Sequence, residues 1–136
     1  MSALTTTLGN AILSEVFGGT AYSAPGTWYF ALFTADPTIS GSATAECTYT
    51  SYARVSVTNN TTNFPAAASL AGASGAAITF PQSTGGTNTA THVGICAAGT
   101  AGVNDVRLKA PLNASAIITS GVTPRFAAGA LTWSAA

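Results

Sequence analysis

Charged side chains are scarce in this 136-residue sequence, at 6% of the residues, against about 25% in an ordinary soluble domain. Four basic and four acidic residues give a formal net charge of zero. Nucleic-acid binding needs Lys and Arg to neutralise phosphates, and an anionic membrane surface attracts basic clusters of the same kind. The basic residues here form no run: Arg54, Arg107, Lys109 and Arg125. We therefore expect neither a nucleic acid nor a membrane as partner.

Long hydrophobic runs are also missing. Thr, Ser, Gly and Pro interrupt every apolar stretch well before the roughly 20 residues that a bilayer-spanning helix needs. The sequence opens with Met-Ser-Ala-Leu-Thr-Thr-Thr, without the positive charge that begins a signal peptide. We therefore expect a protein that folds in a cytoplasm.

Histidine and cysteine, the usual metal ligands, are rare. His92 is the single histidine, and no carboxylate or second ligand stands near it in a recognisable motif, as a general base or a metal site would need. The two cysteines, Cys47 and Cys96, lack metal-ligand spacing. We interpret them as buried free thiols, with a disulfide closing a long loop as the alternative.

The four carboxylates are scattered and fall in no catalytic motif: Glu15, Asp36, Glu46 and Asp105. Asp105 and Arg107 stand two apart on a predicted strand and so share one face. We interpret them as a surface pair, or a rim contact with a neighbouring chain, rather than a catalytic dyad. The sequence thus predicts a protein that is not an enzyme, with no catalytic residue, no cofactor and no metal.

One helix is predicted, over residues 4–17, because apolar residues recur there at spacings of three and four. These residues are Leu4, Leu8, Ile12, Leu13, Val16 and Phe17. A threonine among residues 5–7 is a candidate cap, and Gly18-Gly19 is a typical C-terminal stop. The amphipathic pattern favours packing against the core. The alternative is a helix that docks on a neighbouring subunit.

The rest of the chain reads as about eight short strands separated by turn signals. They fall at residues 28–34, 52–58, 76–80, 91–97, 106–110, 116–119, 125–127 and 130–133. This spacing is typical of β-sandwiches and barrels. Gly94, inside one strand, indicates a bulge or a close backbone approach. We predict a single mainly-β domain over residues 1–136, a jelly-roll-like β-sandwich preceded by the short helix.

The aromatic residues divide into two groups. One dense apolar run is interpreted as core: Trp28, Tyr29, Phe30 and Phe33. A second group flanks predicted loops or chain ends, and its members are candidate interface anchors because aromatic residues are enriched at protein interfaces. This group comprises Tyr22, Tyr49, Tyr52 and Trp133.

The order of segments carries a family resemblance over nearly the whole chain. The segments concerned are 16–22 (Val-Phe-Gly-Gly-Thr-Ala-Tyr), 29–37, 52–57, 78–81, 91–95 and 126–131. In this series the chain resembles small virion proteins of tailed bacteriophages, often labelled tail-fibre-like, and also the small β-sandwich cement proteins of phage heads. The resemblance implies a virion protein made in the host cytoplasm, with no catalytic or cofactor residues.

We therefore predict a capsid decoration, or cement, protein that binds the outer head surface and stabilises the shell. Its expected partners are the major capsid protein and further copies of itself, in a homotrimer. A charge-poor surface suits this role, since large obligate interfaces are the more apolar kind. The alternative is a tail or tail-fibre component, either an adaptor or a receptor-binding knob. A small hydrolase or lectin is the third hypothesis, and it needs a polar constellation that this sequence does not supply.

Overall fold

Antiparallel β-strands dominate the computed structural model, which describes residues 3–102 and 104–134. The elements of this part are β1 Ala3–Leu4, α1 Thr6–Gly18, β2 Thr27–Phe33, β3 Val55–Thr58, β4 Ala71–Ala73, β5 Ile78–Thr79, β6 Asn88–Cys96, β7 Val106–Ile118, β8 Arg125–Phe126 and β9 Thr132–Ser134. The prediction of a mainly-β, sandwich-like fold with one N-terminal helix is confirmed. β1 and β4 were not predicted, and Leu4 of β1 was assigned to the helix instead.

The main sheet has five strands in the order β1-β7-β6-β2-β3, and two small ladders, β4-β9 and β5-β8, accompany it. Side chains alternate across β2. Phe30 and Leu32 face a large core shared with Ile78 of the β5-β8 ladder. Ala31 and Phe33 face a second core on the opposite side of the sheet. Burial on both faces explains why β2 is a dense apolar run rather than an alternating one.

Gly94 of β6 lies at a close approach between neighbouring side chains, as predicted. A Cβ atom built on it would stand 2.8 Å from the Phe33 ring and 2.9 Å from Val106 Cγ1. Contacts this short are essentially never found for real Cβ atoms. The second core therefore closes only around a residue that has no side chain.

β7 is one irregular strand where two were predicted, at 106–110 and 116–119. Ala90 of β6 pairs with Ala116, but His92 pairs with Pro111. Residues 112–115 therefore lie opposite Thr91, the single residue between Ala90 and His92, and form a bulge. On its other side β7 pairs with β1 at two positions only. Within the described ranges the outer edge of residues 110–118 has no strand partner.

Helix α1 follows its predicted bounds closely but not its predicted packing. Thr5 precedes it in an extended conformation, and its hydroxyl donates to the Arg107 carbonyl (3.1 Å) instead of capping the helix. Gly19, with φ of +64°, ends the helix as predicted. No residue of α1 is buried, so the expectation that it packs into the core is wrong. The sheet cores are already filled by other segments, such as the β5-β8 ladder and the loop containing Ala43.

Candidate interaction surface

Four large apolar side chains of α1 are exposed to solvent. The exposed fraction rises along the helix, from 40% at Ile12 and 57% at Leu13 to 65% at Val16 and 83% at Phe17. Their spacing of one and four residues places them on one side of the helix, and we call this set the apolar face of α1. Monomeric proteins rarely expose large contiguous apolar patches, and those that exist mark interaction sites.

The start of the helix is fixed to the body of the protein by its backbone. The Thr5 N–H donates to the Arg107 carbonyl at 3.0 Å, and the Thr6 N–H donates to the Ile39 carbonyl at 2.9 Å. Beyond Gly18 the chain turns back, so that Tyr22 lies beside Ala11 in a shallow hollow. The helix is therefore anchored at its first turn, whereas its second half extends into solvent.

A second apolar surface is a cleft of about 400 Å³ between the main sheet and the C-terminal segment. One wall follows β7 along residues 110–114, and another consists of residues 130–133. Its apolar lining includes Leu32, Val93, Ile118, Phe126, Leu131 and Trp133. Among the described residues of this lining, Arg125 alone is charged. Clefts of this size and polarity are typical binding sites.

A buried group of charges joins two loops elsewhere in the protein, the one between β2 and β3 and the one between β6 and β7. Arg54 binds Glu46 through two hydrogen bonds, of 2.9 Å from Nε and 2.8 Å from Nη2. Its Nη1 donates to Asp105 and to the Ala98 carbonyl. The Tyr52 hydroxyl donates to Glu46 at 2.7 Å and accepts from a backbone N–H of β2. We call Arg54, Glu46, Asp105 and Tyr52 the ion cluster.

The charged side chains of the ion cluster are almost fully buried. Side-chain exposure is 2% for Arg54, 10% for Glu46 and 6% for Asp105. Burial disfavours the charged guanidinium, but hydrogen bonds to both carboxylates outweigh it and raise the pKa of Arg54. Burial, followed by the hydrogen bond to Glu46, raises the pKa of the Tyr52 phenol. The arrangement fastens the β2–β3 loop to the turn between β6 and β7.

The expected surface pair of Asp105 and Arg107 is wrong. Asp105 is buried and pairs with Arg54, whereas Arg107 donates to the carbonyl of Asn104. Strand alternation did not apply, because Asp105 precedes the first residue of β7. The ion cluster itself was missed, since its members stand up to 59 positions apart in the sequence (105 − 46).

The four aromatic candidates for interface anchors occupy different environments. Tyr49 is 3% exposed and donates its hydroxyl to the Pro81 carbonyl at 2.9 Å. Tyr52 belongs to the ion cluster, and Trp133 packs against the main core while lining the cleft. Tyr22 is partly exposed beside α1. Their role as anchors stays a prediction, with Tyr22 and Trp133 lying next to the two apolar surfaces.

The remaining candidate groups lie apart from one another. His92 Nδ1 is 2.9 Å from the Thr91 hydroxyl, which suits a structural role. Cys47 and Cys96 are free and buried, as interpreted, and they belong to separate cores. Burial raises the pKa of Cys47 to about 11 and that of Cys96 to about 12. Within residues 3–102 and 104–134 no three His, Cys, Asp or Glu side chains are grouped to hold a metal ion.

Most of the few charges are neutralised within the protein. The ion cluster uses three of them, and Asp36 pairs with Lys109, whose hydrogen bond lowers the pKa of the Asp36 carboxyl. In the part of the chain that is described, Glu15, Arg107 and Arg125 form no ion pair. Glu15 lies on α1 and Arg125 lies at the cleft, so each of these two lies on one of the two apolar surfaces.

No helix in the described ranges is both long and apolar enough to cross a bilayer. The fold and its surfaces define a small, charge-poor, β-sandwich-like protein with an exposed apolar helix. The sequence profile of a family described as "Podophage GP4 fiber I protein gp80" matches residues 3–134. The chain therefore belongs to this family and is a structural protein of a phage virion. No curated protein matches it.

Proposed function

We propose that the chain is a subunit of a phage tail-fibre apparatus and works by binding other protein surfaces, not by catalysis. The apolar face of α1 is the observation that carries the proposal. Burying apolar surface is worth about 25 cal/mol per Å², so four large side chains left in solvent are a substantial source of binding free energy. A helix that contributes nothing to its own core is explained by a partner that covers it.

The low charge of the surface supports the same role. Five of the eight charged residues are already engaged in ion pairs (Arg54, Glu46, Asp105, Asp36 and Lys109). Burying a charge in an interface costs free energy because the charge must leave water. Since few charges remain on the surface, this cost is small here. Neither a nucleic acid nor a membrane is proposed as partner, since both bind through basic clusters.

Within the fibre apparatus an adaptor role fits better than a receptor-binding knob. A knob would expose aromatic residues at one end, but Tyr49 is buried and Tyr52 is engaged in the ion cluster. The exposed element is instead an apolar helix, which suits a lasting contact with protein. Further copies of the chain, in a homotrimer, are the proposed first partners.

Capsid decoration, with the major capsid protein as partner, is the second candidate. The charge-poor surface is compatible with it, but the family description names a fibre protein. The tail-fibre role therefore comes first. The two roles differ in copy number, because a decoration protein covers the head in numbers close to those of the capsid protein.

The test is the position and incorporation of the chain in assembled particles. Cryo-EM of purified particles should place it at the tail fibres, and quantitative mass spectrometry should give a copy number far below that of the major capsid protein. Phe17→Ser should lower incorporation at least tenfold, whereas the control Leu70→Ser, at another side chain that is 67% exposed, should not. Density over the head at near-capsid copy number would contradict the fibre role.

A further inference from the structure

We propose that the apolar face of α1 of one copy docks in the cleft of a second copy, with Glu15 of the first against Arg125 of the second. The inference deepens the proposed function, on which it rests for the expectation of self-association. It joins the exposed apolar face of α1 to an apolar cleft whose lining includes the half-buried Phe126, Leu131 and Trp133. It also joins two of the three charges that are left outside ion pairs in the described ranges; the third, Arg107, donates to the Asn104 carbonyl.

The two surfaces lie on different parts of one protomer. The lining of the cleft includes no residue of α1, so the helix does not fill the cleft of its own chain. A patch and a complementary pocket at separate places on the same molecule make a head-to-tail contact, which closes into a ring or extends into a filament. Such a contact is compatible with the homotrimer proposed above.

The charges are matched across the proposed contact. Glu15 is the only charged residue of α1, and it follows Ile12 by three residues, at the border of the apolar face. Arg125 is exposed and is the one charge among the described residues of the cleft lining. A single ion pair at the rim of an apolar interface fixes orientation and partner choice more than affinity.

The irregular edge of β7 favours a docked helix over an added strand. An unpaired strand edge can template another strand, and proteins prevent this with prolines and bulges. Pro111 and the bulge at 112–115 stand on the edge that runs along the cleft. Side-chain packing from a helix needs no regular ladder and can use the apolar lining directly.

Charge reversal tests the contact on the isolated full chain. By sedimentation velocity at low salt, wild-type protein should associate with rising concentration. Glu15→Arg and Arg125→Glu each place like charges at the contact and should weaken association at least about tenfold. The double variant E15R/R125E restores opposite charges and should associate as the wild type does. Thr7→Arg on α1 and Thr123→Glu beside β8 serve as matched controls, and both should behave as the wild type.

Mixing the two single variants adds information about symmetry. Each variant repels itself, but either helix meets an opposite charge in the other variant's cleft. The mixture should therefore associate again. A ring of three cannot alternate two kinds of subunit, so the mixture should recover association without the wild-type trimer mass, whereas the double variant should recover both.

Several outcomes would overturn the inference. These are single variants that associate like the wild type, a double variant that is no better than either single one, or a wild type that stays monomeric. Circular dichroism of each variant verifies folding, and the double variant separates loss of contact from loss of fold. A wild type found in the fibre but monomeric in solution overturns this inference alone. Self-association by this contact, with the chain found on the head, overturns the fibre role alone.

Discussion

The ion cluster places charged side chains in the interior, whereas the apolar face of α1 places hydrophobic side chains in solvent. In the ion cluster, charges are taken out of water, and each carboxylate receives hydrogen bonds from Arg54. Among the described buried side-chain atoms only Ser74 Oγ lacks a hydrogen-bond partner. At α1, by contrast, Phe17 is 83% exposed and nothing within the protomer covers it. The buried charges thus find their partners within one copy, whereas the apolar face of α1 stays uncovered.

This difference separates stability from assembly. Removing a partner inside the ion cluster leaves an uncompensated charge in the protein, so the free energy of unfolding should fall. If the proposed function holds, removing an apolar side chain from α1 takes away contacts made only in the assembly. Substitutions in the two regions should therefore affect different measurements.

The largest effect on folding is expected for Arg54→Met, which leaves Glu46 and Asp105 buried without a cation. Breaking a buried ion pair in this way costs about 3–5 kcal/mol, measured by urea denaturation. Adding Glu46→Gln and Asp105→Asn to the Met variant should recover part of the loss, since no buried charge remains. Arg107→Met is the control, with an expected change of about 1 kcal/mol or less. A similarly small effect of Arg54→Met would contradict the structural role of the ion cluster.

An intermediate effect is expected for Gly94→Ala in the second core. The added methyl would meet the Phe33 ring and Val106 below 3.0 Å, and overpacking of this kind costs about 1–3 kcal/mol. Gly121→Ala would not serve as a control, because its φ of +88° strains any side chain. Gly26→Ala, whose Cβ meets nothing within 4 Å, should change stability much less. Equal effects at both glycines would show that the close approach is not what matters.

A small effect on folding, with a large effect on association, is expected for Phe17→Ser. An exposed side chain contributes within about 0.5 kcal/mol to the stability of the protomer. Concentration-dependent association of the same variant should be lost in sedimentation velocity. Stability that falls by several kcal/mol would show that Phe17 belongs to the protomer core after all.

Thiol labelling at pH 8 compares the accessibility of the two regions without altering the stability of the native chain. Burial raises the pKa of Cys47 to about 11 and that of Cys96 to about 12, so both stay protonated as well as covered. Neither should react with a thiol reagent until urea unfolds the chain. A cysteine introduced by Val16→Cys should react at once in dilute protein and be protected in concentrated protein. Fast reaction of the native thiols would contradict their burial.

Sequence reasoning predicted the parts of the fold that depend on local pattern. The run Trp28–Phe33, the spacing of residues 4–17 and the turn residue Gly19 each carry their own signal, and all three appear in the structure. Packing was harder to predict. Whether the apolar side of a helix faces the core or a partner is not a property of the helix, because it depends on what else already covers the sheet.

The surfaces show the same limit. Arg54, Glu46 and Asp105 meet only because the β2–β3 and β6–β7 loops converge, and no spacing in the sequence marks their contact. The cleft likewise combines β7 with residues 130–133. For α1 the apolar spacing was read correctly, but it favoured the core, and docking on a neighbouring subunit was only the alternative.

The most direct test of the account is a side-chain-resolution cryo-EM map of the phage particle. The account predicts the chain in the tail-fibre apparatus, with Ile12, Leu13, Val16 and Phe17 of α1 covered by neighbouring protein. A map in which Phe17 stands in solvent, or in which the chain lies only on the head shell, would contradict it.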